Sequence, residues 1–128
     1  TLIITLNANE ADHAPFLKFQ HVRIMATKPA NSDGGIDLHE ISSLLAVQGY
    51  GEVLIEAGAK INSSFIRANL VDEIILYQSS KILGAAARNL FTLPENHETL
   101  LQKAPWSPTH CSIMGNDLKI CLALTNNQ

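Results

Sequence analysis

Glu56 closes the apolar run Val53-Leu54-Ile55 and is followed by Ala57, Gly58 and a stretch with helical periodicity. A carboxylate directly after three apolar residues carries a desolvation cost unless it is paired or opens onto a cleft. It can cap local N–H groups, or it can accept hydrogen bonds from a polar ligand. Two positions later, Gly58 permits a tight turn and lets a ligand approach the backbone. The first free N–H groups of the next helix, together with its dipole, favour an anion such as a phosphate. Ser63 and Ser64 add hydroxyl donors in the first turns. On spacing alone the segment is either an anion site or a compact strand-to-helix turn without a ligand, because a single glycine is a weak motif.

The other chemistry-bearing residues have bland readings. The five histidines, His13, His21, His39, His97 and His110, have no ligand spacing, and no Cys-x-x-Cys or His-x-Glu pattern marks a metal site. Asp72 and Glu73 cap and solvate a strand start, Trp106 is a packing anchor, and Arg88 is exposed or partner-facing. Lys81 either reaches a substrate phosphate or is a solvated loop lysine. No side chain stands out as a general acid, so none is assigned as catalytic.

These residues need elements to hold them. "TLIITL" and "HVRIMA" read as short strands, joined by the polar connector "NANEADHAPFLKFQ" with Pro15. "TKPANSDGG" is a loop by composition. Asp37 fits an N-cap, Leu38, Ile41, Leu44 and Leu45 form one apolar helical face, and Gly49 follows as the C′ residue. "EVLI" reads as a buried strand. "AKINSSFIRA" reads as an amphipathic helix with Ile61, Phe65 and Ala68 on one face and Asn62, Ser63 and Arg67 elsewhere. "DEIILYQS" is another strand, and a short helix is expected near Glu98–Lys103.

At the end of the chain, "MGND" is a hairpin turn whose two-residue Gly115-Asn116 loop sets Ile113 opposite Leu118 and Cys111 opposite Ile120. Cys121 then faces His110 rather than Cys111, which predicts two free thiols and a reducing, cytoplasmic setting. The order of elements indicates an α/β sheet, largely parallel in the middle and mixed at one edge.

At 128 residues the chain is one domain or part of one. A net charge of −3 without a Lys/Arg cluster argues against a nucleic-acid footprint. No apolar run approaches the roughly 20 residues of a membrane span. The first residues carry no signal-peptide pattern and look like a strand entered without a preamble.

The residues from Val53 to Phe91 also carry a resemblance. "IEAG" (Ile55–Gly58), "LVDE" (Leu70–Glu73), "KILG" (Lys81–Gly84) and "ARNLF" (Ala87–Phe91) occur in the order and spacing of one family. The chain resembles the reductase domain of the bifunctional riboflavin-biosynthesis deaminase–reductase. The resemblance implies a dihydrofolate-reductase-like fold that binds NADPH. It also implies reduction of 5-amino-6-(5-phosphoribosylamino)uracil, a small pyrimidine ribose phosphate, to its ribitylamino form. Position by position, Glu56 falls on the family's substrate-binding glutamate. Gly58, Ala59, Lys60, Ile61, Asn62, Ser63 and Ser64 fall on the segment that wraps the cofactor phosphates.

Three positions depart from the family pattern: Lys60 replaces a small residue, Ser80 a proline and Asn69 a glycine. Lys60 either adds a phosphate contact or is solvated. The family's amino-terminal strands and its zinc-binding deaminase domain have no counterpart in this sequence. Residues 1–128 are therefore expected to form the carboxyl-terminal part of a single reductase domain, inactive by itself. A two-fold dimer or higher homo-oligomer is expected, through a sheet edge or the terminal hairpin. The competing readings are a non-catalytic α/β oligomerisation module and another NADPH reductase of the same fold.

Overall fold

β1 (Leu2–Thr5) and β2 (Arg23–Ala26) pair in parallel, with Leu2 opposite Arg23 and Thr5 opposite Ala26. A computed structural model describes residues 1–6, 10–30, 35–82, 84, 87–92 and 106–125, divided between two units, Thr1–Leu54 and Ile55–Gln128. In the first unit the chain must return to the starting end of β1 before β2 can run alongside it. Helix α1 (Glu10–Leu17) makes that return, where the sequence reads as connector. Pro15 lies inside the helix and its apolar residues form no clear stripe, so neither punctuation nor periodicity announces it.

Helix α2 (Leu38–Val47) starts as the sequence indicates. Asp37 accepts from the His39 and Glu40 amides at 2.9 and 3.2 Å. At its other end Gly49 has φ +89°, the Gly49 amide donates to Ala46, and the Tyr50 amide donates to Leu45. This is a Schellman ending, built on the residue that takes a left-handed backbone without a Cβ penalty. A side-chain pin then ties α2 to the end of β2. The buried Thr27 hydroxyl donates to Glu40 Oε2 at 2.5 Å, and the Lys28 amide donates to the same oxygen at 3.0 Å.

The run Glu52–Ile55 is not a strand. Val53 and Leu54 are 54% and 76% exposed, against the expectation of burial. An apolar run states a preference for burial, but a strand exists only where a neighbouring edge takes up its N–H and C=O groups. Among the described residues no edge does so for this one.

In the second unit, α3 (Ala59–Arg67) precedes β3 (Glu73–Ser79), β4 (Trp106–Met114) and β5 (Asp117–Leu124). Asn69 ends α3 with φ +55°, its amide donating to Ile66 and the Leu70 amide to Phe65. The helix therefore closes with a second Schellman motif, with asparagine in the place of glycine. Its faces differ from the sequence reading: Ser63 is buried, while Ile61 is 53% exposed.

The three strands pair antiparallel in the order β3-β5-β4. The hairpin register is the expected one, with Ile113 opposite Leu118, Cys111 opposite Ile120 and His110 opposite Cys121. Both thiols are free, Cys121 buried in the central strand and Cys111 exposed. Gly115 supplies φ +64° in the loop. The ladder slips between Pro108 and His110, where the Thr109 hydroxyl donates to the Cys121 carbonyl at 3.3 Å. Pro108 offers no N–H, which an edge strand such as β4 tolerates. Both pairing modes expected of a mixed α/β chain are present, the parallel one in the first unit. The helix expected near 98–103 lies outside the described residues.

Two predictions test these local causes. Asn69→Val should destabilise the full chain by about 1–2 kcal/mol, since a β-branched residue resists the left-handed backbone, whereas Asn69→Gly should be tolerated. Equal urea midpoints for the two variants would contradict the Schellman assignment. The second concerns Glu40, whose pKa lies below its ordinary value, first because of the Thr27 hydroxyl and then the Lys28 amide. A depressed folded pKa contributes stability that is fully present above the unfolded value, about 4.3. It is lost as pH falls through the lower folded value. The wild-type melting temperature should fall more steeply across that window than that of Glu40→Gln, and parallel curves would exclude the pin.

Candidate functional site

The start of α3 is held open. Gly58 is its N-cap, with φ −82° and ψ 169°, and no side chain caps it. The first helical bond runs from the Asn62 amide to Gly58 O at 3.1 Å. The amides of Ala59, Lys60 and Ile61 are therefore the ones without an intrahelical acceptor. Uncapped amides at the positive end of a helix form an anion-binding edge. Lys60 lies exposed at this edge and adds a cation to it.

Glu56, two residues before the cap, is exposed, and among the described residues it has no hydrogen-bond or ion-pair partner. Its carboxylate is thus spent on nothing within the described fold, which leaves it free to accept from a ligand. The turn geometry ascribed to Gly58 needs correcting. A φ of −82° is ordinary for any residue, and a Cβ built at Gly58 would meet nothing within 4 Å. The glycine is not required by the turn. What it leaves is open space in front of the helix amides.

Asn62, Ser63 and Ser64 face other tasks. The Ser63 hydroxyl donates to Ala59 O at 2.7 Å and accepts from the Thr92 amide at 2.7 Å, with the residue 1% exposed. Asn62 Nδ2 donates to Ala57 O at 3.1 Å and to Leu90 O at 3.4 Å. The Ser64 hydroxyl donates to Lys60 O at 3.0 Å and accepts from Arg67 Nη2 at 3.3 Å. The serine protons expected to point at a ligand are thus committed to carbonyls one turn back.

The seven residues of the expected phosphate segment therefore divide in three. Gly58, Ala59, Lys60 and Ile61 present backbone, Asn62 and Ser63 hold the segment Leu90–Thr92 beside the Glu56–Gly58 turn, and Ser64 bonds only within its own helix. The Ala87–Phe91 motif carries the resemblance, but nothing in its residue types or spacing places it beside the start of α3. The signal was the small polar pair in the first turn of α3, whose short side chains admit a neighbouring backbone.

Other candidates stay apart. Lys81 and Arg88 are exposed, and the Lys81 amide donates to Ser79 Oγ at 3.3 Å. A shallow cavity of about 260 Å³, lined by Gln78, Ser79, Asn116 and Asp117 among others, includes none of the Glu56–Ser64 residues. Among the described residues no three His, Cys, Asp or Glu side chains converge.

A mixed α/β chain with parallel and antiparallel pairing, similar in structure to the proteins below, has the fold of a dihydrofolate-reductase-like reductase domain. Acinetobacter baumannii RibD has this fold over 97% of the chain, at TM-score 0.67 and 25% identity, the match covering 37% of that protein. Saccharomyces cerevisia Riboflavin Biosynthesis Reductase Rib7 shares the fold at TM-score 0.69 and 16% identity, over 98% of this chain and 55% of that one.

The RibD C-terminal domain family matches residues 1–120, and the chain belongs to that family. Relatives include the riboflavin biosynthesis protein RibD of Buchnera aphidicola, 36% identical over 97 residues, 76% of this chain and 26% of the relative. The RibD of Haemophilus influenzae is 32% identical over 121 residues, covering 84% of this chain and 32% of the relative. The chain thus spans about a third or less of these relatives' length. Among the described residues no helix is long and apolar enough to cross a membrane.

Because Gly58 has ordinary backbone angles and open surroundings, Gly58→Ala should cost no more than about 1 kcal/mol, the amount by which alanine is the poorer N-cap. A larger loss in a denaturant titration would show that the glycine serves the turn after all.

Proposed function

We propose that this chain is the carboxyl-terminal part of the reductase domain of a longer enzyme. That enzyme reduces 5-amino-6-(5-phosphoribosylamino)uracil to the ribitylamino form at the expense of NADPH. The observation that carries the reading is the uncapped start of α3 beside Glu56, which has no partner among the described residues, within a chain of the RibD C-terminal domain family. These residues suit the cofactor: three amides without intrahelical acceptors, a glycine with open space before it and an exposed lysine match the charge and bulk of a phosphate.

NADPH, when bound, supplies the reducing equivalents. The protein's part is binding and orientation. The Ala59, Lys60 and Ile61 amides and the Lys60 ammonium hold phosphate oxygens, and Gly58 leaves them room. Glu56 accepts hydrogen bonds from the polar substrate and fixes its direction. No described side chain takes the role of proton donor in this reading. The enzyme is a cytoplasmic homo-oligomer on the same reading, with the edge of β4, unpaired among the described residues, suited to a contact between copies.

Glu56→Gln in the full-length parent is the test. A charge-assisted hydrogen bond is worth roughly 1.5–3 kcal/mol, so kcat/KM should fall about tenfold or more. The melting temperature and the NADPH affinity, read by fluorescence titration, should stay at wild-type values. Unchanged kcat/KM would remove Glu56 from the substrate site, and a parent that binds no NADPH would remove the reductase reading.

A further inference from the structure

We propose that Asn62 and Ser63 are positioning residues that set the distance between the Glu56–Gly58 turn and the Leu90–Thr92 segment, and so the placement of Glu56 and the first α3 amides toward the ligand. The inference rests on the reductase reading above, but its geometry stands independently. One amide group, Asn62 Nδ2, donates to carbonyls on both sides, Ala57 O at 3.1 Å and Leu90 O at 3.4 Å. One helical turn holds both attachments, because the next residue, Ser63, accepts from the Thr92 amide at 2.7 Å.

The Ser63 hydroxyl lies between Ala59 O and the Thr92 amide and is closed to water. Its proton goes to the carbonyl of the first helical residue and its lone pair to the segment. A buried donor such as the Thr92 amide is costly to leave without its acceptor. The segment is therefore registered on α3 at Leu90 and again at Thr92, two residues apart. Neither Asn62 nor Ser63 needs to touch the ligand. They act through the backbone they hold, since Ala57 lies between Glu56 and Gly58, and a shift of its carbonyl moves both neighbours.

Two variants of the full-length parent separate this role from a merely structural one. Ser63→Ala removes the acceptor of the Thr92 amide with little change in volume. Asn62→Asp keeps size but replaces two donors by oxygens that face two carbonyls. In the ligand-free protein, hydrogen exchange at the Thr92 amide should accelerate at least tenfold in Ser63→Ala. Asn62→Asp should raise the NADPH dissociation constant and the substrate KM about tenfold while retaining the wild-type melting temperature within a few degrees. Asn62→Gln, which restores the amide donors, should recover most of the affinity. If Thr92 exchange is unchanged in Ser63→Ala, or if the parent binds NADPH and Asn62→Asp binds it equally well, the positioning role is overturned while the reductase reading survives. A wild-type parent that binds no NADPH overturns both.

Discussion

A buried hydroxyl must have both its proton and a lone pair satisfied, and the second unit is organised around one that does. Ser63 is the largest fully buried side chain among the described residues. Its proton is taken by Ala59 O and its lone pair by the Thr92 amide. In a low-dielectric surrounding such a pair is worth having complete and costly to leave half made. The segment after the "KILG" loop is thereby fixed to the first turn of α3, next to the turn that carries Glu56. Asn62 repeats the attachment from the half-buried side of the same turn.

The two ends of α3 have opposite chemistry. Its carboxyl end is closed by a Schellman motif that uses up the orphan carbonyls, with Asn69 absorbing the left-handed backbone. Its amino end has no side-chain cap and begins at a glycine. Ser, Asp or Asn at that position would add a side-chain acceptor, a gain over glycine of only a few tenths of a kcal/mol. α2 has such an acceptor in Asp37. One helix start is bare while the other is capped, a contrast that supports the proposed role of α3. Gly58 adopts an angle open to any residue and leaves space around its Cα.

Family membership and fold agree on what kind of domain this is, and the match extends over residues 1–120. The relatives are about three or more times longer than the matched stretch. On the proposed reading, the uncapped amides of α3, Glu56 and the brace through Asn62 and Ser63 would form one wall of the reductase site.

Much of this was legible in the sequence because its causes are local. Asp37 and Gly49 bound α2 through bonds within a few residues, Asn69 tolerates its angle by its own side chain, and Gly115 with period-two alternation determines the hairpin register down to Cys121 opposite His110. Glu56 and the start of α3 were visible for the same reason, as a carboxylate and a glycine at a change of periodicity. Elsewhere the outcome depended on distant partners. The apolar run at Val53–Ile55 forms no strand without an edge to pair with. The connector before β2 coils into α1 because a parallel neighbour requires the chain to return. Ser63 reads as a surface hydroxyl until Thr92, 29 residues on, brings its amide to it. Local backbone preferences are written in single residues and short spacings, whereas the satisfaction of a buried polar group is set by whichever distant segment the fold delivers, and tertiary structure alone makes that choice.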